Sequence, residues 1–143
     1  MSTLINILEK NHSNDLSNAM IPVKLQPYEA MDGYTLNKTC YAVLDTKNKR
    51  SIALHGKDYN LIEYYKIIAG LSEAMQNYGI KLNNVNVTFN VDGNLNYMRL
   101  RIIFNDIVYG LKYNEHDKLN LAIEVISSYD ASVIFKLRTM FFR

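Results

Sequence analysis

Between Val85 and Phe104 the chain reads VNVTFNVDGNLNYMRLRIIF, with apolar residues at every second position on both sides of Asp92-Gly93. Val85, Val87, Phe89 and Val91 alternate with Asn86, Thr88 and Asn90. Past Asn94, Met98, Leu100, Ile102 and Phe104 alternate with Tyr97, Arg99, Arg101 and Ile103. A period of two is the signature of a half-buried strand, and Asp-Gly between two such runs is a strong hairpin signal. One face of this hairpin must be covered by apolar groups. The other carries amides, a hydroxyl, a phenol ring and two guanidinium groups.

The flanking segments extend the same pattern. Cys40, Ala42 and Leu44 alternate within a first strand over residues 38–46, and Ser51 to His55 returns after the polar turn Thr46–Lys49. From Asn60, apolar residues at Leu61, Tyr64, Ile68, Leu71, Met75 and Tyr78 recur every three or four positions. Asn60 with Glu63 reads as a capping box, and Gly79 as the left-handed residue that ends the helix. Such a helix has roughly 18 residues and spans about 28 Å. After the hairpin, Asn105-Asp106 predicts a second tight turn, Asn114–Asp117 a third and Ser127–Asp130 a fourth. Strands are expected between them and over residues 132–143.

The fold class expected is therefore α+β. An antiparallel sheet of about six to seven strands, ordered β-β-α followed by a β-meander, would carry one long amphipathic helix on one face. Residues 38–143 would form this domain. Residues 1–37 read as an arm, with a short helix capped at Ser2 or Thr3 and burying Leu4, Ile7 and Leu8, followed by an extended segment at Pro22 and Pro27. The run from Met140 to Arg143 is apolar strand with no turn, an edge that calls for a partner.

Composition narrows the chemistry. The net charge of +2 does not by itself argue for nucleic acid, so any electrostatic case rests on local clustering. Cys40 is the only cysteine, which excludes an intrachain disulfide and fits a small buried side chain. His12, His55 and His116 lack neighbours at metal-ligand spacing, so no metal or other cofactor is expected. No nucleophile motif and no phosphate-binding glycine loop occurs. Asp92, Asp106, Asp117 and Asp130 all fall at expected turns, where carboxylates bond their own backbone. No enzyme is expected. Apolar runs are too short to span a membrane and the first residues do not read as a signal peptide, so the expected location is the cytoplasm. Abundant Asn, Lys, Ile and Tyr with no Trp suit an AT-rich coding sequence, as in many phages and low-GC bacteria.

The strand run YAVLDTKNKRSIALHGKDYNLIE, residues 41–63, and the turn SSYDAS, residues 127–132, together resemble the N-terminal portion of an uncharacterised domain of phage- and plasmid-encoded proteins (domain of unknown function, series nine-three-two). Tyr59, Leu61 and Ile62 match its helix start. Tyr129 stands where that family has His, and Ala131 where it has Gly. The resemblance implies a mobile-element origin and, for a phage protein, the host cytoplasm.

The candidate binding surface is the polar sheet face: Tyr97, Arg99 and Arg101 on one strand, Lys136 and Arg138 on the last, with Lys49 and Arg50 at the first turn. Cations between rings and amides suit single-stranded nucleic acid, because phosphates meet charge while bases stack. The same residues also suit a protein contact, or simply the solvated side of a sheet. The expected partners are nucleic acid or a host nucleic-acid-processing complex. The alternative is a structural or inhibitory protein acting as a homo-oligomer through residues 138–143.

Overall fold

The computed structural model describes residues 3–27, 40–56, 58–111 and 114–142, with the backbone alone for residues 40, 109–111 and 114–117. The expected strand start at Lys38 and Thr39, along with Lys57 and Arg143, lies outside the described residues. So do the side chains of Cys40, His116 and Asp117.

The architecture is α+β and antiparallel throughout, but it divides into two sheets rather than one. Strands β1 (Val23–Pro27), β2 (Cys40–Asp45) and β3 (Arg50–Gly56) form a three-stranded sheet in that order. Strands β4 (Val85–Val91), β5 (Tyr97–Leu111), β6 (Asn114–Ser128) and β7 (Lys136–Phe142) form a four-stranded meander. Helices α1 (Leu4–Asn11), α2 (Ser13–Ala19) and α3 (Tyr64–Asn77) pack with them. The expected long helix is the shorter α3, and among the described residues α2 adds to the short N-terminal helix α1.

The alternation in the hairpin has its expected consequence. Phe89, Val91, Met98, Leu100, Ile102 and Phe104 are buried on one face of the meander. They share one core with Leu4 and Leu8 of α1, Leu16 of α2, and Tyr64, Ile68 and Met75 of α3. Val23 and Val43 bring the three-stranded sheet into the same core. The N-terminal segment is therefore part of the core. Thr3 caps α1, its Oγ1 accepting from the Asn6 amide at 3.1 Å.

α2 has a further task. β4 is an edge strand, and an edge exposes unpaired backbone groups. His12 Nε2 donates to the Val87 carbonyl at 3.1 Å and Asn18 Nδ2 to the Val91 carbonyl at 2.9 Å, while the Val91 amide donates to Asp15 Oδ1 at 2.8 Å. Polar groups on and just before α2 thus take the place of a fifth strand.

Three local expectations are corrected. Helix α3 begins at Tyr64, not Asn60, and has 14 residues; Glu63 occupies the cap without a side-chain bond. Its first amide instead donates to the Tyr129 hydroxyl at 2.9 Å, so a tertiary contact replaces the local capping box. Gly79 does end it, at φ 67°, but Tyr78 is exposed. Second, the hairpin connection runs over Asp92–Asn96, and the left-handed residue is Leu95 at φ 58°. Leu95 is fully buried, so packing holds a conformation that its β-carbon disfavours. Third, Asn105-Asp106 is no turn. β5 runs through it as a register shift between Phe104 and Val108. The irregular backbone is bonded by amides: the Asn105 amide to the Asn84 carbonyl at 3.1 Å, and Asn120 Nδ2 to the Phe104 carbonyl at 3.2 Å. Leu111 pairs with Asn114, so the turn expected over Asn114–Asp117 lies inside β6.

Tyr64 and Tyr129 join the layers. Their rings stack at 3.8 Å, the Tyr64 hydroxyl donates to the Leu95 carbonyl at 2.9 Å, and it accepts from the Tyr129 amide at 3.0 Å. Both phenols are held above their ordinary pKa, mainly by burial. Tyr64→Phe strands the Leu95 carbonyl and Tyr129→Phe the Tyr64 amide, while the Tyr129 amide keeps its bond to the Asn96 carbonyl at 3.2 Å. At about 1–3 kcal/mol per unsatisfied group, each substitution should lower the unfolding free energy by a similar amount, as measured by urea denaturation.

Candidate functional site

The register of the meander sets the polar face in rows. Thr88, Arg101, Glu124 and Arg138 pair across all four strands, and the next row is Asn90, Arg99, Ile126 and Lys136. Tyr97, Arg99, Arg101, Lys136 and Arg138 thus share the face opposite the core. Tyr97 is half-buried and Lys136 is exposed.

The residue that organises this face is Glu124, whose side chain has no exposed surface. Its Oε2 accepts from Arg99 Nε at 3.2 Å and Nη2 at 2.9 Å, and from Arg101 Nε at 3.0 Å and Nη2 at 2.6 Å. Its Oε1 accepts from Arg138 Nε at 3.0 Å and Nη2 at 2.5 Å. The Arg101 guanidinium also lies 4.6 Å from the centre of the Phe142 ring, a cation–π contact. Burial alone would push the Glu124 carboxyl up; hydrogen bonds from Arg101, Arg99 and Arg138 outweigh it and hold the pKa at about 2.

The cluster is unbalanced. Three guanidinium charges face one carboxylate, leaving a surplus of two, and Lys136 in the adjoining row adds a third. Each arginine spends its Nε and Nη2 edge on Glu124. The side chains of Arg99 and Arg138 remain 37% and 51% exposed, enough to meet a ligand.

Lys49 and Arg50 lie elsewhere. Lys49 occupies the β2–β3 turn at φ 54°. Arg50 Nε donates to Asp45 Oδ2 at 3.0 Å, and its Nη2 donates to the Gly93 carbonyl, tying this turn to the tip of the β4–β5 hairpin. Asp45 is buried; that burial raises its pKa, but bonds from Asn48, Arg50 and the Lys47 amide bring the net value below the ordinary one. Lys49 and Arg50 line a cleft of about 320 Å³ with Lys24, Gln26 and Ser51, away from the arginine rows.

His55, Asp106 and Asp130 are structurally engaged. His55 stacks on Tyr59 at 3.6 Å and its Nε2 donates to the Tyr129 carbonyl. Asp106 accepts from Asn84 Nδ2 at 2.6 Å, and Asp130 from the Ser132 amide at 2.9 Å. Among the described residues, no three His, Cys, Asp or Glu side chains converge as a metal site requires. No described helix is long and apolar enough to cross a membrane.

Set against known protein families, curated proteins and solved structures, the chain matches none.

Glu124 titrates from about 4.5 unfolded to about 2 folded, so its stabilising contribution is complete above pH about 4.5 and is lost as pH falls toward 2. Glu124→Gln should remove that acid-limb dependence and destabilise the fold by about 2–3 kcal/mol at neutral pH, the scale of a charged hydrogen bond. Urea midpoints for both proteins between pH 2 and pH 7 check this.

Proposed function

We propose that this chain is a non-enzymatic accessory protein of a phage or mobile element that binds single-stranded nucleic acid through the polar face of its four-stranded sheet. Acting on nucleic acid within a host processing complex is the broader form of the same reading. The observation that carries it is the charge surplus at Glu124. A purely structural role would be served by one or two arginines on one carboxylate. The third costs like-charge repulsion unless an anion shares the site.

The chemistry suits an extended polyanion. Glu124 holds the Nε and Nη2 edges of three guanidiniums inward, so little side-chain entropy is left to lose when their outer N–H groups meet phosphates. Asn90, Thr88 and Asn86 extend the face with exposed hydrogen-bonding groups. Tyr97, at the start of β5, supplies a ring on which a base can stack, worth about 1–3 kcal/mol. Lys49 and Arg50, bound up in the turn of the other sheet, are left out of this surface.

Binding of a labelled single-stranded oligonucleotide should weaken as salt rises, log K falling by about 0.7 per phosphate contact against log salt. Lys136→Ala removes an exposed cation that makes no bond among the described residues, so it should reduce that slope by about one contact and leave the thermal midpoint unchanged. Binding that is absent, or that is insensitive to salt and to Lys136→Ala, refutes the proposal.

A further inference from the structure

The cleft of about 320 Å³ on the three-stranded sheet has a construction of its own. Lys24, Leu44 and Ser51 pair across β1, β2 and β3, so they stand side by side on one face of that sheet. With about 4.8 Å between strands, Lys24 and Ser51 are roughly 10 Å apart at the backbone, and the half-buried Leu44 is the floor between them. Gln26, two residues along β1, extends the same face. The β2–β3 turn closes the other end with Thr46 and Lys49.

The charges around this floor do not cancel. Asp45 and Arg50 border the cleft but neutralise each other. The buried carboxylate accepts from the Lys47 and Asn48 amides, from Asn48 Nδ2 and from Arg50 Nε. No other acid lines the cleft among the described residues, and the ammonium groups of Lys24 and Lys49 have no partner among them. Two positive charges from separate elements are left over. The turn bonded by Asp45 holds Lys49 at φ 54°, where glycine is relaxed and a residue with a β-carbon is not. The strained position thus carries an ammonium in place of the glycine its backbone favours.

We propose that this cleft binds a phosphate monoester between Lys24 and Lys49. Such a group carries about −1.5 to −2 charges at neutral pH and three acceptor oxygens. It matches two ammonium groups, the Ser51 hydroxyl and the Gln26 amide. Lysine serves phosphate as a mobile point charge, without the two-pronged geometry of arginine. The volume is at the small end for ligand sites, with room for the phosphate and a small organic group resting on Leu44. Two sources offer this chemistry: a free nucleotide and the phosphorylated 5′ end of a strand. The site does not depend on what the arginine face binds.

In calorimetry at low salt, adenosine 5′-monophosphate should bind the parent protein, adenosine should not, and inorganic phosphate should displace the monophosphate. Lys24→Ala and Lys49→Gly should each weaken the affinity about tenfold or more, the scale of a lost charged hydrogen bond. Lys49→Gly relaxes the turn, so the thermal midpoint should hold or rise and lost binding is not a lost fold. A strand whose affinity rises on 5′-phosphorylation, and falls back with Lys49→Gly, identifies the strand end as the source. Equal affinity for phosphorylated and 5′-hydroxyl strands identifies the free nucleotide. The proposal is overturned if neither the monophosphate nor inorganic phosphate binds, or if adenosine binds as well as its monophosphate. It is also overturned if binding survives both Lys24→Ala and Lys49→Gly, a result that moves the monophosphate to the arginine face.

Discussion

A carboxylate with no exposed surface is tolerated only when both of its oxygens are bonded, and Glu124 meets that condition through arginines of the two neighbouring strands. This requirement reaches through the meander. Arg101 and Arg138 must stand directly across from Glu124, one on each side, and Arg99 two residues along. A slip of one residue in either ladder would move the arginines to the apolar face and leave the carboxylate buried alone. The cluster therefore supports the same register as the core on the other side of the sheet. Electrostatics and packing agree on a single pairing, which is how a four-stranded antiparallel sheet becomes unique.

The second set of constraints ties helices to strands by tertiary hydrogen bonds where local sequence would have served. The start of α3 is capped by Tyr129, 65 residues away. Tyr64 returns the bond to the Tyr129 amide and reaches the Leu95 carbonyl in the hairpin connection. Arg50 links the β2–β3 turn to Gly93 in the same connection. The β4–β5 connection is thus bonded from both the helix and the smaller sheet. That bonding, with the burial of Leu95, explains how a non-glycine residue is held at positive φ.

Much of this was legible in the residues. The β4 span, the two-faced hairpin, the end of α3 at Gly79 and the Thr3 cap follow from local chemistry: side-chain period, a left-handed glycine and a hydroxyl at a helix start. Glu124 was the missed residue, although its signal was present. It is the one acid between Leu119 and Ser128, on the side opposite Leu121, Ile123 and Val125. Placing it beside Arg101 and Arg138 needed the pairing of three strands at once, and Asn114–Asp117, expected as a turn, lies inside β6. Asn105-Asp106 misled because the same two residues that favour a turn also bond a bulged backbone.

Taken alone, the order of residues determined which positions are apolar along each strand and helix, and hence the α+β class, because those periods depend only on backbone geometry. Three matters were decided by tertiary structure: the division into two sheets, the shortening of α3, and the engagement of the arginines with a buried acid. Each turns on which distant backbone or charged group is close enough to bond. That distance arises only when separate segments have already packed together.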